Sequence, residues 1–233
     1  MDRDATMKQH TVRAFDEALR TVAADVLDMG QLVRNQLAVA DALLGDMRAG
    51  DKAAIEATEN DINALDRKIS DEVQRILALR QPLGVDLRTL ISCDRIATDL
   101  ERIADHAKNI ARRVAMIAEQ GTSVDLTRTR TLAGRALGQL DAVLEAIEQR
   151  DIVSAKAVWR ADSDIDSLYD ETFHALVQEM CREPQVAASY TNALFIAKSL
   201  ERVGDHVTNI AEDLVYWVAC ERLNKRDADM DGS

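Results

Sequence analysis

Apolar positions recur every three or four residues over long stretches of the chain, which is the spacing of one face of an α-helix. In one stretch the apolar stripe consists of Leu100, Ile103, Ala107, Ile110 and Val114. Glycine and proline interrupt the pattern at few places, and the stretches between them predict six long helices. The predicted helices cover residues 12–47, 52–79, 86–119, 125–149, 152–181 and 185–221. Because the intervening turns are short, we expect an all-α fold of antiparallel helices.

A motif in the third predicted helix returns in the sixth. Residues 100–111 read LERIADHAKNIA, and residues 200–211 read LERVGDHVTNIA. Upstream of the motif, residues 59–63 (ENDIN) parallel residues 162–166 (DSDID). Self-similarity over about a hundred residues indicates that one structural unit occurs twice.

The prolines that interrupt the helical pattern follow the same repeat, since Pro82 in the first half parallels Pro184 in the second. The chain is therefore predicted to contain two pseudo-symmetric three-helix bundles, residues 1–120 and residues 121–223. The polar segment 224–233 is predicted to be a flexible tail.

Each repeat carries two acids four residues apart, Glu101 with Asp105 and Glu201 with Asp205. On a helix this spacing places both side chains on one face, with Cβ atoms about 5–6 Å apart. Two carboxylates at that distance repel each other, and a bound cation would remove the repulsion. The repeated spacing therefore favours a cation-binding role over an ordinary solvated surface.

In the first unit, folding the chain back at Pro82 adds two oxygen ligands to this face. Glu59 would lie level with Asp105, and Asn63 would lie level with Glu101. We call Glu59, Asn63, Glu101 and Asp105 the first acidic face.

In the second unit, folding at Pro184 has the same effect. Asp162 would lie level with Asp205, and Asp166 would lie level with Glu201. We call Asp162, Asp166, Glu201 and Asp205 the second acidic face. Hard oxygen ligands of this kind suit Mg²⁺, Mn²⁺, Ca²⁺ or iron, so both faces are predicted metal sites.

Composition and charge exclude several classes of function. The chain has 233 residues, a net charge of -12 and 3 cysteines, with a pI of about 4.8. Such an acidic chain is not expected to bind nucleic acid, or to reach a membrane except through partner proteins. Three cysteines without a CxxC spacing indicate reduced thiols in a cytoplasmic protein, most of them in the core.

Two other interpretations remain open from the residues. A ferritin-like di-metal oxidoreductase needs two Glu-x-x-His motifs, and the chain has one, Glu171 with His174. A purely structural helical scaffold agrees with composition alone. No nucleophile elbow or phosphate-binding glycine loop occurs, so we expect the protein not to be an enzyme.

The motifs together resemble the PhoU family of phosphate-signalling regulators. The resemblance rests on residues 81–88 (QPLGVDLR), 100–105 (LERIAD) and 200–206 (LERVGDH), and it extends over almost the whole chain. It implies two three-helix bundles that bind metal through E(D)xxxD motifs, with Mg²⁺, Mn²⁺, iron or zinc as the ion. Asn63 departs from the pattern because it replaces an acid, and Ala104 stands where glycine is usual.

The resemblance also implies a function. PhoU proteins are non-catalytic negative regulators that couple the Pst phosphate importer to a PhoR-like sensor kinase when phosphate is plentiful. The expected partners are therefore the ATPase subunit of the transporter, a sensor histidine kinase and a second copy of the chain in a homodimer.

Overall fold

The computed structural model describes residues 3–46, 52–121 and 124–223. Within these ranges the chain is helical and contains no strand, which confirms the predicted all-α class. The helices are α1 (Arg3–Gly45), α2 (Lys52–Arg80), α3 (Val85–Glu119), α4 (Thr127–Gln149), α5 (Ile152–Arg160), α6 (Asp162–Arg182) and α7 (Ala187–Ala219). The predicted flexible tail at residues 224–233 lies outside the described residues.

The fifth predicted helix is divided into α5 and α6 by a break at Ala161. No glycine or proline marks this position, so the apolar pattern could not reveal it. The side-chain amide of Gln139 on α4 donates a hydrogen bond to the carbonyl oxygen of Ala161 at 2.8 Å. A side chain that bonds a helical carbonyl competes with the backbone hydrogen bond and bends the helix. The break lies directly before Asp162, the first residue of the second acidic face.

The centre of the molecule is an antiparallel pair formed by α3 and α7. Side-chain hydrogen bonds join the two helices from end to end, because the start of α3 meets the end of α7. Trp217 Nε1 donates to Thr89 Oγ1 at 2.8 Å. At the opposite end, Arg113 Nη1 donates to Asn192 Oδ1 at 3.0 Å. The two repeats of the sequence thus face each other across one seam.

The outer helices complete a three-helix arrangement on each side of this pair. Helices α1 and α2 pack on α3, and α4, α5 and α6 pack on α7. An ion pair between Arg34 of α1 and Asp141 of α4, at 2.9 Å, links the two sides. The buried apolar side chains of both sides form one cluster. The division into two domains at residue 121 stays a prediction.

The turn between α2 and α3 depends on a glycine. Gly84 has φ of 60° and precedes the first residue of α3. Residues with a side chain seldom adopt this left-handed conformation, whereas glycine adopts it without a steric penalty. The hairpin that Pro82 predicts is therefore closed by Gly84, and it brings α2 alongside α3.

The cysteines differ from the expectation that most lie in the core. Cys93 is buried, and its burial raises the pKa of the thiol to about 12. Cys181 and Cys220 are exposed, because they lie at the ends of α6 and α7, outside the buried core. Across the described ranges, no helix combines the length and the apolarity that a membrane crossing needs.

Candidate metal centre

The second acidic face brings three carboxylates together. Asp166 on α6, with Glu201 and Asp205 on α7, places one carboxylate oxygen of each residue within 4.8 Å of the others. The juxtaposition predicted from the proline register is therefore present. The role of these residues as metal ligands stays a prediction.

Asp162 also belongs to this face. Thr208 Oγ1 donates a hydrogen bond to Asp162 Oδ1 at 2.9 Å. The pKa of Asp205 is raised, first by burial and then by the negative charges of the three other carboxylates, while Lys198 opposes the shift. A raised pKa in a carboxyl indicates that its charged form lacks full compensation within the protein.

Glu201 supplies the observation that tests whether a cation fits. Lys198 Nζ donates to Glu201 Oε1 at 2.6 Å. The other oxygen, Oε2, is buried and has no hydrogen-bond partner among the described residues. A buried carboxylate oxygen without a partner is costly, and a divalent cation bound there would offset the cost. The donor set of carboxylate oxygens therefore fits a hard ion such as Mg²⁺ or Mn²⁺.

The first acidic face is built differently. Glu59 on α2 accepts a hydrogen bond from the ammonium group of Lys108, which lies one turn beyond Asp105 on α3. The pKa of Glu101 is raised by burial first and by the charge of Asp105 second, and Glu59 adds to the shift. Asn63 is half-buried on α2. Glu59, Glu101 and Asp105 are therefore close enough to influence one another, and the predicted pairing of Asn63 with Glu101 stays a prediction.

Arg102 compensates part of the charge of the first acidic face. Its guanidinium lies 3.5 Å from the carboxylate of Glu101 and 3.9 Å from that of Asp105. Within the described ranges, no three carboxylates of this face come as close together as those of the second. The two faces therefore differ in geometry and in charge, beyond the replacement of an acid by Asn63 in the first.

Sequence reasoning missed Asp66, which lies near the first acidic face. The pKa of Asp66 is raised by burial and then by the charge of Asp94, and Asp66 in turn raises the pKa of Glu101. The repeat hides this acid because Tyr169 occupies the matching position in the second unit. Its spacing of two helical turns from Glu59 is the signal that could have found it.

Two histidines meet at the seam between the repeats. The ring centroids of His106 and His206 are 5.7 Å apart, and His206 Nδ1 lies 2.7 Å from Asp99 Oδ1. Burial, followed by the neighbouring His206, lowers the pKa of His106 to about 4. His106 is therefore neutral at pH 7, and both rings belong to the seam between α3 and α7.

Asp213 at the same seam carries a pH-dependent prediction. Its pKa is raised from 3.8 to about 6, mainly by burial, although Arg95 donates a hydrogen bond to its carboxylate. Because the folded pKa exceeds the unfolded value, the contribution of Asp213 to stability is complete below the unfolded pKa and is lost as the pH rises to the folded pKa.

The quantity to follow is the difference in the free energy of unfolding between metal-free wild type and Asp213→Asn. As the pH rises, the value for wild type should fall relative to that of the variant between about pH 4 and pH 6, and the difference should stay level above pH 6. The expected slope is about 1.4 kcal/mol per pH unit. Guanidinium unfolding of both proteins across this range, with a chelator present, measures the difference. A difference that does not change with pH would show that Asp213 titrates normally.

The di-metal oxidase interpretation finds no support in this geometry. Glu171 and His174 are both exposed on α6, whereas ferritin-like ligands project into the bundle.

Comparison with known proteins identifies the family. The family model described as the PhoU domain matches residues 26–114 and 129–214. The chain belongs to the PhoU family. This finding confirms the resemblance stated from the motifs, and the matched segments correspond to the two repeats.

Curated PhoU relatives match over nearly their whole length. A protein of Caulobacter vibrioides (strain NA1000 / CB15N) is 34% identical over 226 residues, which are 97% of this chain and 98% of the relative. A Pseudomonas aeruginosa protein is 33% identical over 91% of this chain and 88% of the relative. Both are named phosphate-specific transport system accessory protein PhoU homolog.

Solved structures agree with the fold. The crystal structure of PhoU from Pseudomonas aeruginosa matches with a TM-score of 0.85 and 34% identity, over 89% of this chain and all of that chain. The phosphate transport system regulatory protein PhoU from Streptococcus pneumoniae matches with a TM-score of 0.80 and 27% identity, over 90% of this chain and 99% of that chain. The predicted PhoU-like arrangement of six long helices is thereby confirmed, with the fifth helix broken at Ala161.

Proposed function

We propose that this chain is a non-catalytic negative regulator of phosphate uptake and of phosphate-starvation signalling. The observation that carries the proposal is the match, over nearly the whole length of both chains, to proteins named accessory proteins of the phosphate-specific transport system. Fold alone would not support a function, because one fold serves many.

The regulator is proposed to bind divalent metal ions. The clustering of Asp166, Glu201 and Asp205, with a buried and unpaired oxygen on Glu201, supports this part of the proposal. A metal ion held there would supply positive charge that neutralises the second acidic face. The protein residues would fix the ion between α6 and α7 and so stiffen the hairpin that carries it.

The proposed partners are the ATPase subunit of the phosphate transporter and a sensor histidine kinase, which the protein would join as a cytoplasmic adaptor and a homodimer. The long helices offer extended side surfaces for such contacts. Acidic stripes on these surfaces would set partner choice and association rate more than affinity, because complementary charge steers encounter. Bound cations would change the sign of the stripe locally and thereby link metal occupancy to docking.

The test is repression in the source organism grown with abundant phosphate. Deletion of the gene should raise transcription from a phosphate-starvation promoter and raise phosphate uptake, because the inhibitory coupling is lost. The wild-type gene supplied in trans should restore repression. Normal repression in the deletion strain would contradict the regulatory role.

A second strain separates metal binding from regulation. It carries Glu201→Gln with Asp205→Asn, two substitutions that keep side-chain size and remove two charges. We expect this variant to accumulate normally and to repress less than wild type. Full repression by this variant would remove the metal of the second acidic face from the proposed mechanism while leaving the regulatory role in place.

A further inference from the structure

Besides the exchange of Asp166 for Asn63, the two acidic faces differ in the residue that lies beside them at one matching position. Lys108 on α3 and Thr208 on α7 stand at the same place in the two copies of the motif. Lys108 donates its hydrogen bond to Glu59, and Thr208 donates its own to Asp162. Glu59 and Asp162 are themselves matching residues of the repeat. The acid at this position of the repeat is therefore bonded to a positively charged ammonium group in the first unit and to a neutral hydroxyl group in the second.

Arg102 brings a second positive charge to the first acidic face, and the matching residue does not do so in the second unit. Arg102 lies within 4.0 Å of the carboxylates of both Glu101 and Asp105. Arg202, which matches Arg102, makes no salt bridge to any residue of the described ranges. The three acids of the first acidic face are therefore each paired with a cation of the protein itself.

The second acidic face contains a buried carboxylate oxygen that no group of the described ranges compensates. Lys198 pairs with one oxygen of Glu201 and leaves the other buried without a hydrogen-bond partner in the described ranges. The carboxylates of Asp166 and Asp205 lie within 4.8 Å of that of Glu201. Close carboxylates that include a buried oxygen without a hydrogen-bond partner attract a further cation more strongly than the paired carboxylates of the first face.

We propose that Lys108 makes the two metal sites unequal: its ammonium group supplies a resident positive charge at the first acidic face, so that a divalent cation binds the second acidic face first and more tightly. This inference rests on the metal-binding part of the proposed function. It names Lys108 as a residue that determines the order of metal loading, in addition to Asn63, which replaces an acid at the first face.

The test measures Mn²⁺ binding to chelator-treated protein by isothermal titration calorimetry. The first face is isolated by Glu201→Gln with Asp205→Asn, and Lys108→Thr is then added to copy the second unit. Removing a unit charge about 5 Å from a divalent ion should tighten binding at the first face by about tenfold, even with the screening of water. Lys108 is 45% exposed, so the substitution leaves the core intact.

Two controls separate charge from shape. Lys108→Met removes the charge and keeps the length of the side chain, and it should tighten binding as Lys108→Thr does. Lys156→Thr makes the same chemical change at a lysine that pairs with Glu221, at 2.9 Å. It should leave the affinity of the first face unchanged.

The outcomes distinguish the inference from the function on which it rests. Tighter binding in both Lys108 variants, with no change in Lys156→Thr, supports the inference. Unchanged affinity in both Lys108 variants overturns the inference alone, as does a wild-type first face that binds Mn²⁺ as tightly as the second. If wild type binds no Mn²⁺ at either face, metal binding and the inference both fail.

Discussion

Replacing Glu201 with Gln and Asp205 with Asn is expected to weaken Mn²⁺ binding at the second acidic face by at least about 100-fold, because two negative charges next to a divalent ion are lost. Both substitutions conserve shape, so α7 should keep its packing. Calorimetric titration of chelator-treated protein gives the affinity. The matched variant, Glu101→Gln with Asp105→Asn, makes the same change at the first face and should leave the tightest binding unaffected.

The same variant has a second expected property, which separates it from a misfolded protein. Without metal, neutralising Glu201 and Asp205 removes the repulsion that contributes to the raised pKa of Asp205. The metal-free variant should therefore melt at a higher temperature than metal-free wild type at pH 7. Mn²⁺ at a concentration that fills only the second acidic face of wild type should no longer raise the melting temperature of the variant. A lower melting temperature in the absence of metal would mean that these carboxylates stabilise the fold by themselves.

The second large effect is expected at Trp217, on the seam between the two repeats. Its side chain is 2% exposed, its indole nitrogen donates to Thr89, and the guanidinium of Arg150 lies 4.7 Å from its ring centroid. Trp217→Ala should lower the free energy of unfolding by about 3–5 kcal/mol, since a large buried ring is removed and its cavity remains.

Trp217→Phe provides the comparison, because it keeps an aromatic ring against the guanidinium and loses the hydrogen bond. It should cost about 1–3 kcal/mol, which is the penalty for leaving the buried hydroxyl of Thr89 without its donor. Urea unfolding measures both values. Equal stability of wild type and Trp217→Ala would show that α3 and α7 do not depend on this contact.

The helices and their order were predictable because the information is local. An apolar stripe with few breakers specifies long helices, and the predicted start and end of the third helix lie within one residue of α3, Val85–Glu119. The break at Ala161 was not predictable in this way, because Gln139, which bonds its carbonyl, is on another helix. Contacts between distant residues leave no trace in local periodicity.

The acidic faces were predictable for a different reason. Glu201 and Asp205 share a helical face by their spacing, and a short hairpin at Pro184 fixes which residues of α6 lie opposite. The approach of Asp166 to Glu201 follows from that register. The position of the ligands along the helices was therefore available from the sequence.

Asn63, which replaces an acid, already indicates a less anionic first face, whereas the part that Lys108 has in the inequality of the two faces was not predicted. The motif repeats its acids, whereas Lys108 and Thr208 lie outside the acid pattern and look like ordinary variation. Lys108 matters only because α2 brings Glu59 within hydrogen-bond reach. Side chains that modify a site from a neighbouring helix become visible only when the packing is known.

The most direct test of the central claim, that α6 and α7 hold a divalent cation between their carboxylates, is anomalous diffraction from crystals grown with Mn²⁺. Data collected on both sides of the manganese absorption edge should show a peak bounded by Asp166, Glu201 and Asp205, with a weaker peak or none at the first acidic face. A second acidic face without a peak, in crystals that contain Mn²⁺ at saturating concentration, would contradict the claim.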